Sequence, residues 1–397
     1  MINDLGADDI DLGADDIDLL HLFSLQINDP AVTDKLLTQI TQLSRYDFES
    51  LYRMKKWLEE LSELTAESYD CCTKSCAAFT GPYTKLKECP RCRRPRYRRN
   101  GKPVKTYRYL PLIPQLITYF LDRELNKQMR YRSDSHLNTE ANKEGRMTDI
   151  FDGSHYRELL EKEVTINGHG VGHTHFSDDR DIALGLSSDG IGPWKHRKAT
   201  FWPILLYNFN LPPDERFHDD NMICIGEVPG PTKPKDMDSF LYPAVQELLK
   251  LAVGVQAYDV VDEEIFILHA YLITVFGDIP AVSMLLRMKG QNGHSPCRLC
   301  MIQGIRIPNS RITTHYLPLC RKNLQAVRAD YDPGDLPMRT HEKFMEQARK
   351  VQFAETNTES ETLGTNPSFP GQDIKGTLPG NAQCTEDVLT QNIARKF

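Results

Sequence analysis

Between residues 181 and 278 the hydrophobic pattern changes in an order that leaves few folds open. Three apolar segments of strand length come first, "DIALGLSSDGIG", "TFWPILLYNFN" and "NMICIGEVPG", the last two separated by the polar "LPPDERFHDD". Next is "MDSFLYPAVQELLKLAVGV", in which Leu241, Val245, Leu248 and Leu249 share one helical face. "EIFILHAYLITVFGD" follows, apolar enough for a buried strand at least in its second half. A three-stranded meander, a helix and a fourth strand send the helix across the sheet. The right-handed crossover rule then lays strand four parallel to strand one. The first strand ends at Asp189 and the fourth at Asp278. If those strands are neighbours, both carboxylates emerge at the same sheet edge.

That order is the opening of a ribonuclease H-like fold. The expected class is therefore α/β: a partial ribonuclease H-like core, with a mixed sheet and a crossover helix, preceded by a helical region and a zinc ribbon. Paired carboxylates at one edge suit Mg²⁺ or Mn²⁺ ions, which about 3.5–4 Å apart clamp the attacking and leaving oxygens of a phosphodiester. Taken singly, each aspartate reads more simply as a turn residue, and only their joint placement points to a metal site. Asp238 is most simply the N-cap of the helix that begins at Ser239.

Residues 71–98 read "CCTKSCAAFTGPYTKLKECPRCRRPRYR". Cys72 and Cys76 form one close pair, Cys89 and Cys92 a second, as tetrahedral zinc requires of two tight knuckles. Cys71 competes with Cys72, since either spacing to Cys76 closes. So short a segment buries little apolar surface, which makes the metal a structural one. A further pair, Cys297 and Cys300, is also a metal-ligand candidate; His294, His315 and Cys320 are its possible complements, unless its partners lie elsewhere. The imidazoles of His169, His173 and His175 in "GHGVGHTH" read as part of a flexible linker rather than as ligands.

The formal net charge of −7 conceals an asymmetry. Residues 1–30 carry eight aspartates and no Lys or Arg, whereas Lys85–Arg108 holds eleven basic residues against Glu88 alone. Within that block Arg91, Arg93, Arg94, Arg96, Arg98, Arg99, Lys102 and Lys105 are candidate DNA contacts, interleaved with Tyr97, Tyr107 and Tyr109, which either stack on bases or pack beneath. The competing reading is a solvated basic face or a nuclear-import tag. The expected division is an acidic disordered tail (1–18), a helical region (19–66), the zinc ribbon with its basic segment and a helix (67–130), a linker (131–179), the α/β domain (180–355) and a disordered tail (356–397). No apolar run approaches the ~18–20 residues of a membrane span. The start lacks a signal-peptide pattern, so the ten cysteines read as ligands or free thiols.

Several stretches together resemble the transposases of CACTA (En/Spm-like) DNA transposons, in the form common in mushroom-forming fungi. They are "TKSCAAFTGPYTKLKECPRCRRPRY", "TDIFDGSHYREL", "FSDDRDIALGLSSDGIGPW", "GPTKPKDMDSFLYPAVQELLKLAVGV", "FGDIPAVSMLLRMKGQNGHSPCRLCM" and "GIRIPNSRITTHYLPL". The resemblance runs from about residue 65 to about 355. It implies metal-dependent cutting and joining of DNA by an acidic triad, with Asp189 matching the first acid, Asp278 the second, and "CRLC" a Cys-x-x-Cys typical of the superfamily. It further implies structural Zn²⁺, catalytic Mg²⁺ or Mn²⁺, DNA (the transposon ends) as partner, self-association, no membrane, and a nuclear or otherwise cytoplasmic location. The third acid, expected farther on near an Asp-x-Met-His-like motif, has no match: Glu342 and Glu346 sit on a helical pattern that nothing aligns with it. The expectation is a C-terminally truncated transposase, inactive as it stands. The alternatives are a zinc-ribbon DNA-binding module and a remnant without function.

Overall fold

The computed structural model describes residues 65–137, 147–192, 200–286 and 331–340, together with 288, 295, 297–305, 342–344, 346 and 350. The acidic stretch 1–18, the expected helical region over 19–66 except its last two residues, and the tail 356–397 lie outside them.

Strands β1 (Glu67–Asp70), β2 (Thr106–Tyr109), β5 (Ile182–Ser187), β6 (Phe201–Asn208), β7 (Met222–Pro229) and β10 (Ala270–Val275) form one mixed sheet in the order β1-β2-β7-β6-β5-β10. β5, β6 and β7 are the antiparallel meander expected from the sequence. Helix α5 (Met237–Val253) follows, and β10 returns beside β5 in parallel, from Ala270 opposite Ile182 to Val275 opposite Leu186. Alternation along β5 explains why its sequence is apolar throughout. Ile182, Leu184 and Leu186 join the main core with α5 and helix α1 (Leu112–Leu121), while Ala183 joins a second core on the opposite face with Phe151, Tyr156, Phe176 and Tyr271.

Three expectations need correction. "EIFILHAYLITVFGD" is two strands: β9 (Glu264–Leu268) pairs with β8 (Val255–Asp259) in a separate hairpin, and only β10 enters the sheet. The division falls at His269, whose Nδ1 lies 3.0 Å from the buried carboxylate of Asp181, so a polar clamp interrupts the apolar run. Second, 131–179 is not a plain linker. It contains α3 (Tyr131–Leu137), α4 (Ser154–Leu160) and the hairpin of β3 (Glu163–Ile166) and β4 (His169–Thr174). Phe151, Tyr156, Leu159, Val164 and Phe176 make up much of the second core, and Arg216 reaches both oxygens of Asp149 at 2.8 Å. Apolar residues too sparse to show a period still bury when a sheet face needs covering. Third, the cysteine-rich segment is not a separate body. The described residues from Ala66 onward form one compact unit, and β2 pairs with β7, which extends the sheet by two strands.

After β2 the expected helix is broken. Asp122 is extended (φ −99°, ψ 123°), and its side chain accepts from Glu124 and Leu125 N–H groups, restarting the helix as α2 (Arg123–Met129).

Candidate metal centre and carboxylate edge

Each cysteine knuckle is built by a turn that needs one left-handed residue. In the first, Ser75 (φ 55°) donates its N–H to Cys72 O at 2.7 Å, and Cys72 N–H reaches Ala77 O at 2.9 Å. In the second, Arg93 (φ 58°) donates to Cys89 O at 2.9 Å, and Cys89 N–H reaches Arg94 O at 2.8 Å. The turns bring Cys72, Cys76, Cys89 and Cys92 together with all four Sγ atoms within 4.8 Å of one another. Tetrahedral zinc with Zn–S bonds of ~2.3 Å has S···S edges of about 3.8 Å, so the donor set and spacing suit such an ion. Apolar support is thin: among described residues this cluster adds only Phe79 and Leu86 to the cysteines.

Cys71 turns the other way, into the main core with Ala78 and Tyr107, where burial pushes its thiol up to about 12. That geometry selects Cys72 of the two candidates. Hydrogen bonding from Cys89 draws Cys72 down to about 4, whereas burial and the charge on Cys72 push Cys76 up to about 12. A charge on Cys72 thus disfavours a second on Cys76, and a divalent cation bound there would relieve that penalty.

The basic block divides in two. Arg91 is buried against Asp236 at 3.0 Å, with side chains 8% and 3% exposed. Arg96 binds Asp70 at 2.6 Å and Thr84 O at 2.6 Å, and lies over the Phe79 ring. Lys105 Nζ reaches Ser75 Oγ and Pro229 O, each at 2.8 Å. These three are spent on holding the knuckles. Arg93, Arg94, Arg98, Arg99 and Lys102 are exposed. Tyr107 and Tyr109 pack beneath, in the core, and only Tyr97 is exposed.

At the far end of β5 the chain runs Ser187-Ser188-Asp189, and at the same end of β10 it runs Phe276-Gly277-Asp278. The parallel register carries both aspartates out at one edge, and Phe276 N–H still bonds Leu186 O at 3.0 Å. Gly277 (φ 147°) makes the turn that a side chain would strain, after which Asp278 caps α6 (Ile279–Leu285) by accepting from Ala281 N–H at 2.7 Å. Asp189 accepts from Gly190 N–H at 2.6 Å. Both carboxylates are exposed, and each has a second oxygen outside these bonds. Among the described residues no third acidic or imidazole group gathers with them.

The segment Pro229–Asp236 is tied to both knuckles, and nothing in its composition announces that. Thr232 Oγ1 donates to Lys74 O at 2.5 Å, and the N–H groups of Lys235 and Asp236 reach Cys76 O at 3.1 and 2.8 Å. Tyr83 OH joins Arg91 on Asp236 Oδ2 at 2.9 Å.

Cys297 and Cys300 form a third knuckle, with Leu299 N–H 3.4 Å from Cys297 Sγ. The buried Arg339 holds it, donating to Cys297 O at 3.0 Å and Ser295 O at 2.9 Å. The suggested complements His294, His315 and Cys320 lie outside the described residues.

None of the described helices is long and apolar enough to cross a membrane. Residues 169–375, just over half of the chain, match the model of the family described as Transposase family tnp2. No curated protein matches.

Proposed function

The chain belongs to the transposase family tnp2, and from that premise we propose that it is a CACTA-type transposase protein that grips duplex DNA beside a divalent-cation site at Asp189 and Asp278. The observation that carries this reading is the parallel pairing of β5 and β10, which sends both carboxylates out at one edge. Strand order, crossover helix and parallel register support reading this mixed sheet as a ribonuclease H-like core. Two carboxylates with spare oxygens match the way Mg²⁺ is usually held, by one or two acids together with substrate phosphate. When bound, the ion would polarise a phosphodiester and favour an oxygen nucleophile. The chain's own part is to hold the two carboxylates rigidly, Asp278 by its cap and Asp189 by its turn, and to present Arg93, Arg94, Arg98, Arg99 and Lys102 to the backbone of DNA. Zinc at Cys72, Cys76, Cys89 and Cys92 would fix the knuckle that displays them. Nuclear location accords with such a substrate.

Family chemistry requires a third acid, which does not join these two among the described residues. In this reading the chain binds DNA and cation but cuts poorly. Incubating the purified chain with supercoiled DNA and Mn²⁺ tests that: the expected result is salt-dependent binding without nicking. Robust nicking that disappears in Asp189→Asn would overturn the incompleteness while upholding the site. Absence of DNA binding at low salt would sink the whole proposal.

A further inference from the structure

Lys233 lies in the "GPTKPKD" stretch, to which the sequence alone assigns no contact. Its Nζ lies 5.5 Å from the Trp202 ring centroid and 3.4 Å from Pro280 O, two residues after Asp278. Trp202 in turn covers the other carboxylate's turn: a Cβ on Gly190, next to Asp189, would meet the indole at 2.7 Å. The side chain therefore touches the helix that Asp278 caps and, through Trp202, neighbours the turn that carries Asp189. It is exposed, its carbonyl bond is long, and an exposed cation over an indole gains only about 0.5–1 kcal/mol. Neither contact commits the ammonium.

What is committed is the backbone beneath it. On one side Ser75 and Lys105 hold Gly230 O; on the other, Cys76 O takes the N–H groups of Lys235 and Asp236, and Asp236 is locked by Arg91 and Tyr83. Thr232 is pinned to Lys74 O and Thr200 to Pro231 O. Three Cα–Cα steps separate Lys233 from Asp236, so at most ~11 Å lies between the Cα atoms of the lysine and of a residue bonded to both knuckles. A flexible surface lysine would not need so many anchors.

We propose that Lys233 is a DNA-phosphate contact at the carboxylate edge, placed there by a strap that the two cysteine knuckles anchor, so that the knuckle arginines and the paired aspartates address one continuous stretch of duplex. This rests on the reading of Asp189 and Asp278 as a cation site on DNA. The strap sets register: the zinc-type centre acts on the reacting end of the molecule through residues 229–236.

The test uses the full chain and a short duplex, with affinity followed against salt. In Lys233→Gln the slope of log affinity against log salt should flatten by about 1, the amount expected for one phosphate contact, and Lys233→Arg should restore it. Lys127→Gln, on α2 near the opposite end of β5, should leave the slope unchanged. With Ca²⁺ present, Lys233→Gln and Asp278→Asn should be non-additive by about threefold or more, because both act on one phosphate, whereas Lys127→Gln and Asp278→Asn should add. Asn retains the cap at 278, so that variant keeps its fold. An unchanged slope in Lys233→Gln, or additivity with Asp278→Asn, overturns the inference and leaves the proposed function standing. Failure of the parent chain to bind DNA removes the proposed function instead.

Discussion

Arg91 and Arg94 sit three residues apart in the same basic run, yet they do different work. Arg91 is enclosed with Asp236 and Tyr83, so truncating it strands a buried carboxylate. Arg91→Ala should cost about 3–5 kcal/mol of stability, measured by denaturant unfolding. Arg94 is exposed, so Arg94→Ala should stay within ~0.5 kcal/mol and weaken only DNA binding. Arg93 offers a third outcome, since its φ of 58° favours glycine. Arg93→Gly should hold or slightly raise stability while removing one DNA contact, read by the same two measurements. Spacing made the four clustered cysteines legible in the sequence, but the choice between Cys71 and Cys72 needed the fold, which buries Cys71 in the main core and leaves Cys72 with the other three. The division among the arginines was not legible, because Asp236 and Asp70 are partners that only the folded chain brings near.

Among the elements, α1 begins at Leu112 after Pro111, which has no side chain able to cap it. Glu247 of α5 does so from across the core, accepting from Leu112 N–H at 2.6 Å, Ile113 N–H at 3.3 Å and Tyr109 OH. Glu247→Ala should lower stability by about 1–3 kcal/mol, with the loss appearing as faster amide exchange at the start of α1. The hairpin of β3 and β4 carries a pH sensitivity. His173 lies with its Nε2 buried and unpartnered, its ring 4.3 Å from that of His269, and burial and that neighbour lower its pKa. The folded state therefore resists a proton that the unfolded chain takes up near pH 6.5. Stability should fall as pH drops below that value and be unaffected above it, and His173→Phe should blunt the fall. Periodicity exposed the meander, crossover helix and β10. It concealed the β8–β9 hairpin, because β9 and β10 differ only in which sheet receives them, and it concealed the second core, whose aromatic residues are scattered through polar sequence.

At the scale of the molecule, the cysteine-rich segment and the carboxylate-bearing strands share one sheet rather than two jointed domains. A metal at the cysteine cluster, built onto an edge of that sheet, would fix the exposed arginines with respect to Asp189 and Asp278, as the proposed grip on one duplex requires. Removing the metal should therefore reach beyond the knuckle: chelation should expose β1 and β2 to amide exchange and weaken DNA binding, whereas Asp189→Asn should leave exchange there unchanged. Whether Asp189 and Asp278 hold one divalent cation against DNA is read from Ca²⁺-dependent affinity. Ca²⁺ should tighten duplex binding by the parent chain, and Asp189→Asn and Asp278→Asn should each abolish that gain. A calcium effect that survives in both variants would contradict the cation site.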